Sequence, residues 1–187
     1  RAGESLPVWV YSNCDTVELF QDGVSHGRQA IEHYEPGKWS LVWQPGELKV
    51  VGYRDGQEVA SETVRTTGPA VALRLRLEDE GVRADGEDVA VVTCYSVDAH
   101  GDIVPDASPF VRFDTNGYGR ILGTGSDVCD HRPVTEQDRR MRAGLCSVVI
   151  KAGLTAGTLR LYARAEGLQP ATLAIGLADT GRRPYVE

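Results

Sequence analysis

The feature that most constrains this chain is a recurrence of short runs rich in Val, Leu, Thr and Tyr, separated by Gly, Asp and Asn. Branched and aromatic residues favour strands, whereas Gly, Asp and Asn favour turns. No segment keeps a helical period of apolar residues over a dozen positions. The pattern therefore predicts an all-β protein.

Strand boundaries follow from these runs and from the turn residues between them. Asp22-Gly23 and Asp55-Gly56 each follow a run, and Asp-Gly favours the tight turn of a β-hairpin, so antiparallel pairing is expected. The runs predicted as strands are residues 7–12, 16–21, 38–43, 47–54, 58–65, 70–79, 88–99, 110–115, 120–125, 141–152, 158–167 and 171–177.

The segment Thr66-Thr67-Gly68-Pro69 predicts a domain boundary, because it joins a small polar run to a Gly-Pro breaker. We therefore expect two consecutive immunoglobulin-like β-sandwiches, over residues 1–68 and 69–177, and a flexible tail over residues 178–187. The number and length of the later runs are typical of that fold. A domain of about 60 residues is marginal alone, so the first one should lean on a neighbour.

The charge balance disfavours some partners. The chain has 27 acidic and 20 basic side chains and a formal charge of −7, which opposes binding to nucleic acid. The longest apolar runs are of strand length, far below the roughly 20 residues that span a bilayer. Neither nucleic acid nor a membrane is expected as a partner.

The cysteines leave two alternatives open. Cys14, Cys94, Cys129 and Cys146 have no CxxC spacing, so a zinc or redox motif is not indicated. Cys94 and Cys146 lie in strand-like runs, where they can be free, buried thiols or form a bridge across a sandwich. Free thiols would favour an intracellular over a secreted location.

The three tryptophans are candidate sugar contacts. Trp9, Trp39 and Trp43 all lie in the first domain, and aromatic rings can stack on sugars. Trp39 and Trp43 also share one face of their strand with Leu41, which is typical of a core. The core and the sugar-stacking interpretations both stay open.

The long loop over residues 123–138 concentrates carboxylates, a histidine and a thiol. Asp127, Asp130 and His131 can belong to a solvated or interdomain loop, to another contact surface, or to a cation site. The sequence has no GxSxG elbow, HExxH helix or phosphate-binding loop, and no pair of carboxylates stands out as catalytic. No cofactor is predicted.

Residues 8–27, VWVYSNCDTVELFQDGVSHG, resemble the VxVYSNxDxVELFxNGxSLG signature of a domain that follows the catalytic barrel in glycoside hydrolase family 2. Asp22 and His26 depart from this signature, where Asn and Leu are usual. Further segments resemble the same domain and the last immunoglobulin-like domain of β-galactosidase-like members: residues 34–37, 45–53, 63–68, 73–75, 84–90, 104–107 and 144–148.

The resemblance implies that this chain is a non-catalytic, C-terminal part of a retaining β-galactosidase or related β-glycosidase. The catalytic Glu pair would lie in a barrel of about 250 residues, which this chain does not contain. Expected partners are the upstream barrel and sandwich domains, and a further copy in a homo-oligomer. A carbohydrate-binding module is the alternative function.

Overall fold

The computed structural model describes residues 3–79 and 81–180, and in this part of the chain all the regular elements are strands. Residues contact one another within two compact units, Arg1–Thr66 and Thr67–Glu187. The described residues contain no helix long and apolar enough to cross a membrane. The all-β, two-sandwich prediction is confirmed.

Unit 1 packs a two-stranded sheet, β1-β4, against a four-stranded sheet of order β3-β2-β5-β6, and the pairings are antiparallel. Its strands are β1 (Ser5–Val10), β2 (Thr16–Gln21), β3 (Val24–Ala30), β4 (Gly37–Val42), β5 (Glu47–Arg54) and β6 (Gln57–Arg65). The buried centre of the core consists of Val17, Leu19, Trp39 and Leu41. This core is small because only two strands face the larger sheet.

Both predicted hairpins of unit 1 are present. Asp22 and Gly23 have φ values of 50° and 80° and join β2 to β3, while Asp55 and Gly56 have 50° and 77° and join β5 to β6. The sequence analysis missed β3 itself. Its residues are polar and mostly exposed because it is an edge strand, so no apolar alternation marks it.

Unit 2 is a sandwich of two four-stranded antiparallel sheets, with orders β10-β12-β8-β7 and β11-β9-β13-β14. Its strands are β7 (Ala72–Leu77), β8 (Val89–Val97), β9 (Phe110–Thr115), β10 (Gly119–Gly125), β11 (Asp138–Arg140), β12 (Leu145–Ala152), β13 (Gly157–Arg164) and β14 (Ala171–Leu177). Its core has 18 buried residues, among them Phe113, Ile150 and Leu161. Unit 2 therefore has by far the larger core.

The strand predicted over residues 141–152 is wrong at its start. A turn at Ala143 and Gly144, with φ values of 50° and 74°, separates the short strand β11 from β12. Both turn residues have the positive φ of a tight hairpin, but Ala143 is not a residue that signals one. The sequence analysis therefore missed β11.

Both ends of unit 2 are held by hydrogen bonds. The buried Asp98 carboxylate accepts the backbone N–H groups of Gly68, His100 and Asp102, at 2.9, 2.9 and 3.1 Å. At the other end, the backbone of Ala178 exchanges hydrogen bonds with the segment 82–84. The rest of the predicted flexible tail, from residue 181 onward, lies outside the described residues.

Candidate functional site

The three tryptophans occupy different environments. Trp39 is 9% exposed in the core of unit 1, and its indole N–H donates to the backbone carbonyl of His26 at 3.1 Å. Trp43 is half-buried, whereas Trp9 is 58% exposed. The ring of Trp39 therefore belongs to the core, and sugar contact by Trp9 or Trp43 stays a prediction.

Trp9 lies on the outward side of the two-stranded sheet. Side chains of β1 and β4 alternate, so that Trp39 and Leu41 point into the core while their neighbours face solvent. We call the outward positions the Trp9 face: Ser5, Pro7 and Trp9 on β1, and Lys38, Ser40 and Val42 on β4. Trp9 is directly opposite Lys38, and Val42 is also exposed. This face offers an aromatic ring and an aliphatic side chain to a partner.

The long loop between β10 and β11 is organised by a buried arginine. Arg139 on β11 is 1% exposed, and its guanidinium group donates to the Thr124 hydroxyl at 3.1 Å. It also donates to the Asp130 carboxylate at 2.7 Å and to the backbone carbonyl of Pro133 at 2.8 Å. A buried guanidinium requires such partners because its charge is costly to desolvate. The loop therefore has a defined shape.

The candidate loop residues have separate partners. Arg139 binds Asp130 and lowers the pKa of that carboxyl below its usual value. The carboxylate of Asp127 accepts the backbone N–H of Cys129, which lowers its pKa, and Arg142 lies 2.9 Å from it. His131 is exposed. Both carboxylates are therefore ionised and paired at neutral pH.

These contacts do not assemble a metal ligand set. Within residues 3–79 and 81–180, no group of three or more His, Cys, Asp and Glu side chains is arranged to hold a metal ion. Contact of Asp127, Asp130 or His131 with another molecule stays a prediction. The sequence analysis singled out these carboxylates but did not identify Arg139. An arginine within a charged segment gives no signal that it is buried.

The cysteines do not form the bridge considered in the sequence analysis. Cys94 and Cys146 lie opposite each other on the adjacent strands β8 and β12 of one sheet, and all four thiols are free. A bridge across the sandwich is wrong, because that bridge joins two different sheets. Contact with Cys94, followed by burial, raises the pKa of Cys146, so its thiol stays protonated. These two residues act as small apolar core residues.

The fold and the residues described above define a class of protein: a tandem of immunoglobulin-like β-sandwich modules. Residues 73–174 match the sequence profile described as "Glycoside hydrolase family 2 C-terminal domain 5". Residues 3–60 match one described as a domain of unknown function, DUF4982. The chain belongs to the glycoside hydrolase family 2 C-terminal domains, as its resemblance indicated.

Similar proteins are much longer than this chain. It is 34% identical over 182 residues to the β-galactosidase BoGH2A of Bacteroides ovatus, a match that covers 95% of this chain and 21% of that protein. It is 28% identical to a β-glucuronidase of Formosa agariphila, covering 94% and 18%. A β-glycosidase structure from Bacteroides vulgatus superposes with a TM-score of 0.89 at 27% identity, covering 94% and 23%. The chain therefore spans about a fifth of the length of these relatives.

Proposed function

We propose that the chain is a non-catalytic accessory part of a family 2 glycosidase, and that its Trp9 face docks on the catalytic barrel of the same longer chain. The parent would be a retaining β-galactosidase or a related β-glycosidase. The proposal is supported by relatives that carry nearly the whole of this chain within a protein about five times as long. Upstream sandwich domains and a second copy of the parent are further proposed neighbours.

The observation that carries the docking role is the exposure of Trp9 on a unit with a small core. Unit 1 has four fully packed apolar residues at its centre, and a domain of this size is marginal alone. Burying a large apolar side chain contributes about 1.5–3 kcal/mol. Covering the Trp9 face would therefore add to the stability of a unit that is marginal alone.

Two measurements test the accessory role. The coding sequence upstream of Arg1 is expected to encode a family 2 barrel, and another kind of protein there would contradict the proposal. The purified 187-residue chain is expected not to hydrolyse a nitrophenyl β-galactoside. Hydrolysis by this chain, with contaminating enzyme excluded, would show that it is catalytic.

The docking face is tested in the longer enzyme. Trp9→Ser is expected to lower the midpoint of thermal unfolding, because the ring would leave a buried contact. Tyr34→Ser is the matched control, since Tyr34 is an exposed aromatic residue outside the Trp9 face. Equal midpoints for the Trp9 variant and the unmodified enzyme would exclude docking through this face.

Carbohydrate binding by unit 1 is the second candidate function, because an exposed indole ring beside Lys38 suits stacking on a sugar. Affinity electrophoresis of the chain in gels that contain a neutral galactan distinguishes carbohydrate binding from docking. Retardation that Trp9→Ser abolishes and Tyr34→Ser retains would support sugar binding. Unretarded migration of the unmodified chain would exclude it for that glycan.

A further inference from the structure

One sheet of unit 2 presents several arginines to solvent. In the sheet β11-β9-β13-β14, side chains alternate between the core and the outside, so Val111, Phe113 and Leu161 are buried while the charged residues between them face outward. We call the outward arginines of this sheet the arginine face: Arg112 on β9, Arg140 on β11, and Arg160 and Arg164 on β13. All four are exposed.

The register places two of these charges directly against each other. Arg112 on β9 is the cross-strand partner of Arg164 on β13. Like charges at directly opposite positions destabilise a sheet. Within the described residues, none of the four arginines forms an ion pair, although Arg28, Arg76 and Arg132 do. The sheet therefore keeps an arginine pair that no carboxylate of these residues neutralises.

The acidic groups on the same side form no ion pair with these two arginines. Asp138 is the cross-strand partner of Arg112, but its carboxylate lies 3.2 Å from the Arg132 guanidinium group. Asp114 is opposite Tyr162, and its carboxylate accepts the backbone N–H of Thr115. Neither carboxylate forms an ion pair with Arg112 or Arg164, so both guanidinium groups remain able to pair with an external anion.

The cations of this face are all arginines, and aromatic rings lie between them. Arg132 and Arg140 lie over the ring of Phe110, with guanidinium carbons 4.7 and 5.9 Å from its centroid. The ring of Tyr162 is half-buried between Arg160 and Arg164 on the same strand. A guanidinium group binds a carboxylate through two parallel hydrogen bonds, which a lysine cannot do. The chemistry therefore suits carboxylates, which guanidinium groups can bind through paired hydrogen bonds.

The remaining outward positions decide between classes of partner. Protein interfaces depend on a desolvated cluster of large apolar or aromatic anchors. Here the outward residues of β14 are Thr172, Ala174 and Gly176, and the ring of Phe110 is already covered by guanidinium groups. Single-stranded nucleic acid is bound by grooves whose exposed aromatic rings stack on successive bases. On this sheet the outward rings are Phe110, which lies under two guanidinium groups, and the half-buried Tyr162. A hydrated, carboxylate-bearing chain fits better than either.

We infer that the arginine face binds an acidic polysaccharide by pairing the guanidinium groups of Arg112 and Arg164, with those of Arg140 and Arg160 beside them, to uronate carboxylates. This ligand goes beyond the proposed function, since it concerns unit 2 and does not depend on docking by the Trp9 face. Either proposal can therefore fail without the other.

The test is affinity electrophoresis of the 187-residue chain in gels that contain polygalacturonate. The chain is expected to be retarded, and less so as salt is added, because the contacts are ionic. Arg112→Ser with Arg164→Ser should weaken binding about fivefold or more, as the loss of two exposed ion pairs predicts. Arg112→Lys with Arg164→Lys should weaken it less, since the charges stay while the paired hydrogen bonds are lost.

The matched control is Arg74→Ser with Arg120→Ser, which removes two exposed arginines from the outward side of the other sheet of unit 2. It should bind polygalacturonate as the unmodified chain does. The unfolding midpoint of the Arg112 and Arg164 serine variant should equal or exceed that of the unmodified chain, because two opposed like charges are removed. A lower unfolding midpoint would therefore reveal a misfolded variant.

Several results would overturn the inference. Migration unaffected by polygalacturonate would exclude the ligand class. Equal weakening by the Arg74 and Arg120 control would show a nonspecific charge effect, and equal retardation by neutral dextran would show that carboxylates are not recognised. Equal affinity for single-stranded DNA would show general polyanion binding, and binding only to acidic protein surfaces would assign the face to a protein partner.

Discussion

Leu41→Ala should selectively destabilise unit 1. Leu41 is 5% exposed on β4 and belongs to the buried cluster with Val17, Leu19 and Trp39. Truncating a buried leucine costs about 2–5 kcal/mol, because transfer free energy is lost and a cavity is left. A domain of about 60 residues has roughly 3–9 kcal/mol of total stability, at 0.05–0.15 kcal/mol per residue. The substitution therefore removes from about a fifth to all of the stability of unit 1.

Hydrogen exchange measured by mass spectrometry checks this expectation strand by strand. Amide protection in β2 and β5, the central strands of the larger sheet, should fall by more than tenfold, since 1.4 kcal/mol corresponds to a factor of ten. Leu161→Ala is the matched control: Leu161 is fully buried among the 18 core residues of unit 2. A similar loss of stability from Leu161→Ala should leave the amides of unit 2 largely protected, because its core is larger. Unchanged protection of β2 and β5 in the Leu41 variant would refute the reasoning that this buried cluster stabilises unit 1.

Three further results are expected. Ala143→Asn should raise the free energy of unfolding in denaturant by about 0.5–1 kcal/mol, because Ala143 is exposed with φ at 50° and Asn tolerates that conformation. A lower free energy of unfolding would show that the methyl group of Ala143 makes stabilising contacts. Native labelling with a thiol reagent should modify Cys129 alone, since the other three cysteines are buried, and modification of a second thiol would contradict their burial. The backbone N–H of Gly68, followed by those of His100 and Asp102, lowers the pKa of Asp98. The contribution of this carboxylate to stability is therefore present above its unfolded pKa and is lost as the pH falls towards the lower folded value. Asp98→Asn should flatten the dependence of the unfolding midpoint on acid pH, and parallel curves for the two proteins would refute this linkage.

The sequence predicted strands best where one face is buried. The alternation of Leu73, Leu75 and Leu77 with charged residues marks β7, and in the structure Leu73 is fully buried while the arginines are exposed. The Asp-Gly turns predicted two hairpins because their positive φ is a local property. The edge strand β3 has no buried face to impose a period, so its existence depends on pairing with β2.

The candidate sites were harder to predict because a strand pattern does not show which face another sheet covers. Trp9 and Trp39 have similar sequence contexts, yet one is exposed and the other is in the core. Their difference arises from the pairing of β1 with β4, which orients Trp39 towards the four-stranded sheet. Likewise, the opposition of Cys94 and Cys146 within one sheet depends on the register of β8 and β12.

Two groups of arginines in unit 2 differ in whether a carboxylate of the described residues pairs with them. Arg139 and Arg142 pair with carboxylates of the loop. The buried Arg139 also donates to the Thr124 hydroxyl and to the backbone carbonyl of Pro133, and these contacts fix the shape of the loop. Arg112 and Arg164, on the neighbouring strands of the same sheet, have no ion pair within the described residues. Strand alternation separates the two kinds of position. Arg139 is buried beside the Asp130 carboxylate, whereas Arg112 and Arg164 lie on the outward side of β9 and β13. A polyanion is therefore expected to select the second group, because the charges of the first are already neutralised.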